Sequence, residues 1–259
     1  MNEWMIALIA GAVVFTTFTV EGIAGFGSTV MALPFIAMLI GIDKAVPILS
    51  SLSVLLSIFI VLKSWRDLDI KEYGFILLHV GLGVPVGLFC MDYLPKNCMI
   101  GLLAFFMFFV GIRGLRSVFR KAIENAETNT PQSKKRLLSR LLLFIGGIIQ
   151  GAFSSGGPIV VMYASKAITQ KSQFRVTLSS LWLTTNTIMI IKWTLSGTVW
   201  TPQVGKIFLC ILPFVLGGMF FGDHLHNKVD QRKFTILVYT VLLLAAFMLT
   251  GNLLRNIMG

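Results

Sequence analysis

Two short stretches carry nearly all the residues that could do chemistry. The first reads Glu21-Gly22-Ile23-Ala24-Gly25-Phe26-Gly27-Ser28-Thr29, and the second reads Gln150-Gly151-Ala152-Phe153-Ser154-Ser155-Gly156-Gly157-Pro158. They lie 129 residues apart, and each ends one hydrophobic run and opens the next. Glycines break a helix, and hydroxyl residues or proline restart one: Ser28 and Thr29 are suited to a helix N-terminus, and Pro158 to a first helical turn. A restarted helix exposes unpaired N–H groups and the positive end of its dipole, which together bind anions. The expected anion ligands are therefore Gly25, Gly27, Ser28 and Thr29 from the first break and Ser154, Ser155, Gly156 and Gly157 from the second. Close helix packing, which glycine and serine also permit, is the competing reading of the same residues.

Glu21 adds a different chemistry. It is the one carboxylate expected in the membrane-embedded part of the first half, and its counterpart is neutral Gln150. An ionisable group in a membrane is expensive and marks ion or proton paths, so Glu21 is the candidate proton-coupling residue. Solvation at an interface is the alternative for it. Thr185 and Asn186, within the polar cluster Thr184-Thr185-Asn186, are candidates to line a cavity opposite the breaks, with Ser50, Ser51, Ser179 and Ser180 as weaker ones; hydroxyls also bond their own helix carbonyls. Lys192 stands at the end of a long apolar run in the place that Lys63 holds in the first half. It is either an anion attractor or a side chain snorkelling to headgroups.

The elements that position these groups are membrane helices. Of 259 residues, 56% are hydrophobic and only 13% charged, and the mean hydropathy is +0.84; soluble proteins carry about 25% charged residues. Apolar segments fall at 4–20, 29–41, 45–62, 73–94 and 97–119, then at 138–153, 159–169, 174–196, 204–222 and 231–253. Segments 29–41 and 159–169 are too short to cross the roughly 30 Å hydrocarbon core and read as pieces of broken spans or arms of hairpins. The expected fold is all-α and polytopic, with two homologous halves, each opening on a Gly-rich broken element, and about eight spans, or ten helical segments. Residues 1–119 form the first repeat, 120–137 a basic cytoplasmic linker and 138–259 the second repeat.

The repeat extends beyond the breaks. At the same offset Leu49-Ser50-Ser51-Leu52 matches Leu178-Ser179-Ser180-Leu181, and at an offset of 131 Gly87 and Asp92 match Gly218 and Asp223. Treating each broken element as a hairpin inverts the second half and places more of the 22 Lys and Arg residues on the cytoplasmic side, as membrane topology favours. Inverted repeats are therefore expected.

Other classes find little support. The net charge of +11 sits mainly between apolar segments, without the aromatic-interleaved basic face of a nucleic-acid binder. Cys90, Cys98 and Cys210 are scattered, and His79, His224 and His226 form no helical metal pair. No phosphate-binding Gly-x4-Gly-Lys-Ser/Thr loop exists, so ATP is not the direct energy source. No cofactor and no catalytic residue is expected. Met1–Trp4 lacks the basic start of a removable signal.

The pattern Gly22-x2-Gly25-x-Gly27, then Pro34, a restart at Ala45 and a serine-rich helix, resembles the sulfite exporter TauE/SafE family. The second half's Gly151-x4-Gly156-Gly157-Pro158 is similar to that family's second repeat, and the likeness covers nearly the whole chain. Ser28-Thr29 departs from the glycine with which many members continue. The resemblance implies export of a small sulfur-containing anion, such as sulfite, sulfoacetate or another organosulfonate, across the bacterial inner membrane. The implied partners are that anion, membrane lipid, protons as the candidate coupling ion, and a second copy in a candidate homodimer. A channel-like facilitator is the alternative, ahead of a membrane-embedded enzyme or assembly factor.

Overall fold

A computed structural model of the chain describes residues 3–120, 132–197, 200–226 and 231–258. Ten α-helices account for almost all of them: α1 (Glu3–Ala24), α2 (Ser28–Ile40), α3 (Ile42–Ser64), α4 (Ile70–Tyr93), α5 (Lys96–Arg120), α6 (Gln132–Phe153), α7 (Gly157–Ala167), α8 (Lys171–Ser196), α9 (Pro202–Leu225) and α10 (Gln231–Met258). No strand occurs among the described residues. Each expected apolar segment corresponds to one helix. The centre of the expected linker, residues 121–131, lies outside the described residues.

Helix ends follow local chemistry. Asp69 caps α4 by accepting from the Lys71 and Glu72 N–H groups at 3.2 and 3.1 Å, and Thr201 caps α9 through Val204 N–H at 3.3 Å. Gly41, at φ +86°, is the only residue between α2 and α3, and this left-handed conformation reverses the chain at little cost.

Among the described residues, five stretches are long and apolar enough to span a membrane: Ala7–Ala24, Ile42–Asp67, Ile70–Tyr93, Lys96–Arg116 and Pro202–Leu225. The protein is a polytopic membrane protein. α2 and α7, of 13 and 11 residues, reach only about 20 and 17 Å at 1.5 Å per residue. α8 has the length but not the apolarity, because it carries Ser179, Ser180, Thr185 and Asn186. All four are buried, and α8 packs against α3 and α4. α4 and α9 instead expose Leu78, Leu82, Phe89, Leu209 and Phe220. Such apolar faces suit lipid.

The halves exchange partners. α1 of the first half packs along α9 of the second, and α6 of the second packs along α4 of the first. Glycines bring these backbones together. A Cβ on Gly83 or Gly87 of α4 would overlap the α6 carbonyl oxygens of Phe144 and Ile148, and one on Gly147 or Gly151 would overlap those of Val80 and Val84. Gly218 and Gly222 of α9 meet Phe15 and Thr19 of α1 in the same manner, and a Cβ on Gly22 would lie 3.1 Å from Gly222 Cα. Small residues one turn apart permit this approach, and in lipid the close packing is itself the driving force. α3 and α8 form the centre, and α5 pairs with α10.

Ion pairs join the halves at helix ends. Lys63 at the end of α3 pairs with Asp223 near the end of α9, and Lys192 near the end of α8 pairs with Asp92 near the end of α4. Asp223 also accepts from both terminal nitrogens of Arg175, at 3.1 and 3.0 Å. Arg175 lies at the start of α8 and is buried.

A candidate anion site between two helix breaks

The two breaks are built alike. α1 ends when the Gly25 N–H donates to the Glu21 carbonyl at 2.6 Å, and α6 ends when the Ser154 N–H donates to the Gln150 carbonyl at 2.7 Å. The pivot takes the left-handed conformation in both, with φ +79° at Gly25 and +52° at Ser154. For Ser154 that conformation is costly. Its hydroxyl donates to Asn186 Oδ1 at 2.9 Å, which holds it in place. Gly27 is also left-handed, at φ +106°, and opens α2.

Each break is also tied by the residue at its start. Glu21 Oε2 accepts from the Ser28 N–H at 3.1 Å and from the Ser28 hydroxyl, and Glu21 Oε1 accepts from the Ser53 hydroxyl at 3.1 Å. Gln150 Oε1 accepts from the Gly156 N–H at 3.0 Å. The Gln150 amide donates to Asn186 Oδ1 at 2.7 Å and to Thr185 Oγ1 at 3.4 Å. Thr185 in turn donates to the Leu181 carbonyl at 2.9 Å.

Both breaks open on one small cavity of about 20 Å³. The start of α2 contributes Gly27, Thr29 and Val30, and the start of α7 contributes Gly157 and Pro158. Ser154 and Ser155 come from the second break, Ser53 from α3, and Trp182 and Asn186 from α8. Glu21 and Gln150 complete the wall, and Glu21 is its one ionisable group. The first turns of α2 and α7 bring backbone N–H groups that have no partner within their own helix. The wall can therefore hydrogen-bond an oxyanion, while Glu21 sets a condition on it. Two bare negative charges in a low-dielectric cavity repel strongly, so anion occupancy favours a protonated carboxyl.

The expected site residues fall into three groups. Gly27, Thr29, Ser154, Ser155, Gly157, Asn186 and Glu21 line the cavity. Gly25, Ser28, Gly156 and Thr185 stand behind the wall, Gly25 as the pivot and the others as partners of Glu21 or Gln150. Lys192 is not among the lining residues and pairs with Asp92. Ser50, Ser51 and Thr184 donate to their own helix carbonyls at Val46, Pro47 and Ser180.

Sequence reasoning missed Ser53, Gln150 and Trp182 as site residues. Gln150 carried a signal, as the counterpart of Glu21. So did Ser53, which lies one helical turn beyond Ser50. Trp182 carried none, because an indole in an apolar helix is ordinary core.

No curated protein and no solved structure matches the chain. The family model described as sulfite exporter TauE/SafE matches residues 9–249. The match takes in both breaks, all four residues of the inter-half ion pairs and the whole cavity wall, and the chain belongs to the sulfite exporter TauE/SafE family.

Proposed function

We propose that this protein is a secondary transporter that exports a small sulfur oxyanion, of the sulfite or sulfonate class, across a bacterial inner membrane. One observation carries the reading: the first turns of two short helices face one buried cavity whose single ionisable group is Glu21. Anion recognition falls to backbone N–H groups and to the hydroxyl of Thr29. Protonation of Glu21 accompanies anion binding, so that the loaded cavity carries the anion's charge alone.

Alternating access follows from inverted halves rocking against each other about the site. Inversion is supported by the meeting of the α3 end (Lys63) and the α8 start (Arg175) on the same Asp223. It is supported as well by the pairing of the α4 and α8 ends through Asp92 and Lys192. A channel would need a continuous wet path. The burial of Glu21, Ser28, Gln150 and Asn186 favours a carrier.

The test is ligand-induced thermal stabilisation of the purified protein with sulfite, sulfate, thiosulfate, sulfoacetate, taurine and acetate, since a ligand of the folded state raises Tm. A selective rise with a sulfur oxyanion, lost in Thr29→Val, is expected. A flat panel with folded protein would remove the anion site. Saturable counterflow in liposomes separates carrier from channel.

A further inference from the structure

The two halves bring unlike side chains to the cavity wall, and the largest difference in size lies at one repeat position. At the repeat offset of 129, Ser53 of α3 corresponds to Trp182 of α8. Both line the cavity. Ser53 is small and spends its hydroxyl on Glu21. Trp182 fills the corresponding place with an indole that is 4% exposed.

That ring is held by one hydrogen bond and faces the first turn of α7. Its Nε1–H donates to the Gly25 carbonyl at 3.2 Å, which ties α8 to the end of α1. Its Cζ2 lies 3.7 Å from where a Cβ on Gly157 would stand, against the first turn of α7. The ring cannot swing aside for a larger guest without releasing the Gly25 bond. The rest of the wall cannot yield easily either. Gly25 packs with Arg175, whose Cα lies 2.9 Å from a Cβ built there, and Ser154 and Gln150 are both bonded to Asn186.

We infer that Trp182 sets the upper size of the substrate, admitting an inorganic sulfur oxyanion and turning away organosulfonates whose carbon chain would occupy the space of the indole. This deepens the transport reading above and rests on it. Trp182 acts by volume, and its N–H holds the ring in that place.

The experiment compares binding of sulfite and sulfoacetate to purified wild type, Trp182→Ser and Trp182→Phe, each confirmed as monodisperse, by thermal shift over a concentration series. Serine is the residue the first half itself carries at this position. Wild type should bind sulfite and reject sulfoacetate, and Trp182→Phe, smaller and without the N–H, should fall between wild type and Trp182→Ser. Trp182→Ser should gain sulfoacetate affinity by about tenfold or more, the discrimination typical of opened apolar pockets. Should Trp182→Ser fail to fold, Trp182→Leu carries the same test with a smaller gain. Sulfoacetate binding to wild type as tight as sulfite, or a folded small-residue variant that binds sulfite and still rejects sulfoacetate, would overturn the size role alone. No binding of either anion to any variant would overturn the transport reading and this inference with it.

Discussion

Glu21 and Gln150 stand at equivalent places in the two halves, and each accepts a hydrogen bond from a backbone N–H at the start of the helix that follows its own. Ser28 N–H reaches Glu21 Oε2 at 3.1 Å, and Gly156 N–H reaches Gln150 Oε1 at 3.0 Å. The geometry is shared and the charge is not. One half carries a group that can hold a proton, and the other carries its permanently neutral analogue. A neutral side chain is thus already compatible with this cap.

Glu21→Gln should therefore fold, keep the acceptor for Ser28 N–H, and lose the dependence of transport on a pH gradient while anion exchange persists. Uptake into proteoliposomes with and without an imposed gradient reads this directly. An unchanged gradient response would remove Glu21 from coupling. The reverse change, Gln150→Glu, should weaken anion binding at neutral pH, because it adds a second carboxylate and removes the donor to Asn186 Oδ1.

Asp223 and Asp92 should differ sharply in what they contribute. Asp223 holds the buried Arg175 as well as Lys63, whereas Asp92 and Lys192 are 43% and 35% exposed. Asp223→Asn leaves an uncompensated buried guanidinium and should cost about 3–5 kcal/mol. Asp92→Asn should cost at most about 1 kcal/mol. Comparing the thermal unfolding of the two variants in one detergent decides the ranking, and equal losses would contradict it.

Gly87 and Gly74 lie on the same helix with opposite demands. A Cβ at Gly87 would overlap the Ile148 carbonyl, while one at Gly74 meets nothing within 4 Å. Gly87→Ala should destabilise by about 1–3 kcal/mol, since two backbones must separate. Gly74→Ala should be neutral or stabilise by up to about 1 kcal/mol. Tm of the two variants measures the difference.

His226 follows the end of α9, outside its span, and its Nδ1 meets the Ile23 carbonyl at 2.5 Å. Burial holds its pKa below the ordinary 6.5; the Ile23 bond opposes this, and Arg175 and Lys171 add to it, with Asp223 in opposition. The folded protein therefore binds this proton less readily than the unfolded chain. The stability that His226 contributes is complete above about pH 6.5 and is lost as pH falls through the lower folded value. Tm measured between pH 7.5 and 5 should drop more in wild type than in His226→Asn. Parallel curves would dismiss the residue as a source of acid sensitivity.

The helices were legible because membrane spans announce themselves by apolar length, and the breaks because Gly25, Gly27 and Gly156-Gly157-Pro158 interrupt those runs with residues of known backbone preference. The partnership of α1 with α9 and of α4 with α6 was not legible. It depends on glycines facing one another across some 60 to 200 residues of sequence, as Gly83 faces Gly147 and Gly22 faces Gly222, and no periodicity within a segment records that. Lys192 illustrates the same gap. Its type and position suited an anion attractor, but the chain brings Asp92 beside it through a contact 100 residues distant in sequence. Ser53 and Trp182 needed the repeat register to be carried into the cavity wall, side chain by side chain.

The exchange of partners between halves has a consequence for synthesis. α1 leaves the ribosome first, and the surface that receives it, α9, is among the last helices made. For most of translation the glycine-bearing face of α1 has no match, and α4 waits for α6 across the central linker. Residues 1–119 expressed alone should therefore be cleared by proteases, while the two halves supplied together as separate chains should rescue each other. The unit that matures is the interlocked whole, completed only when the last hairpin enters the bilayer.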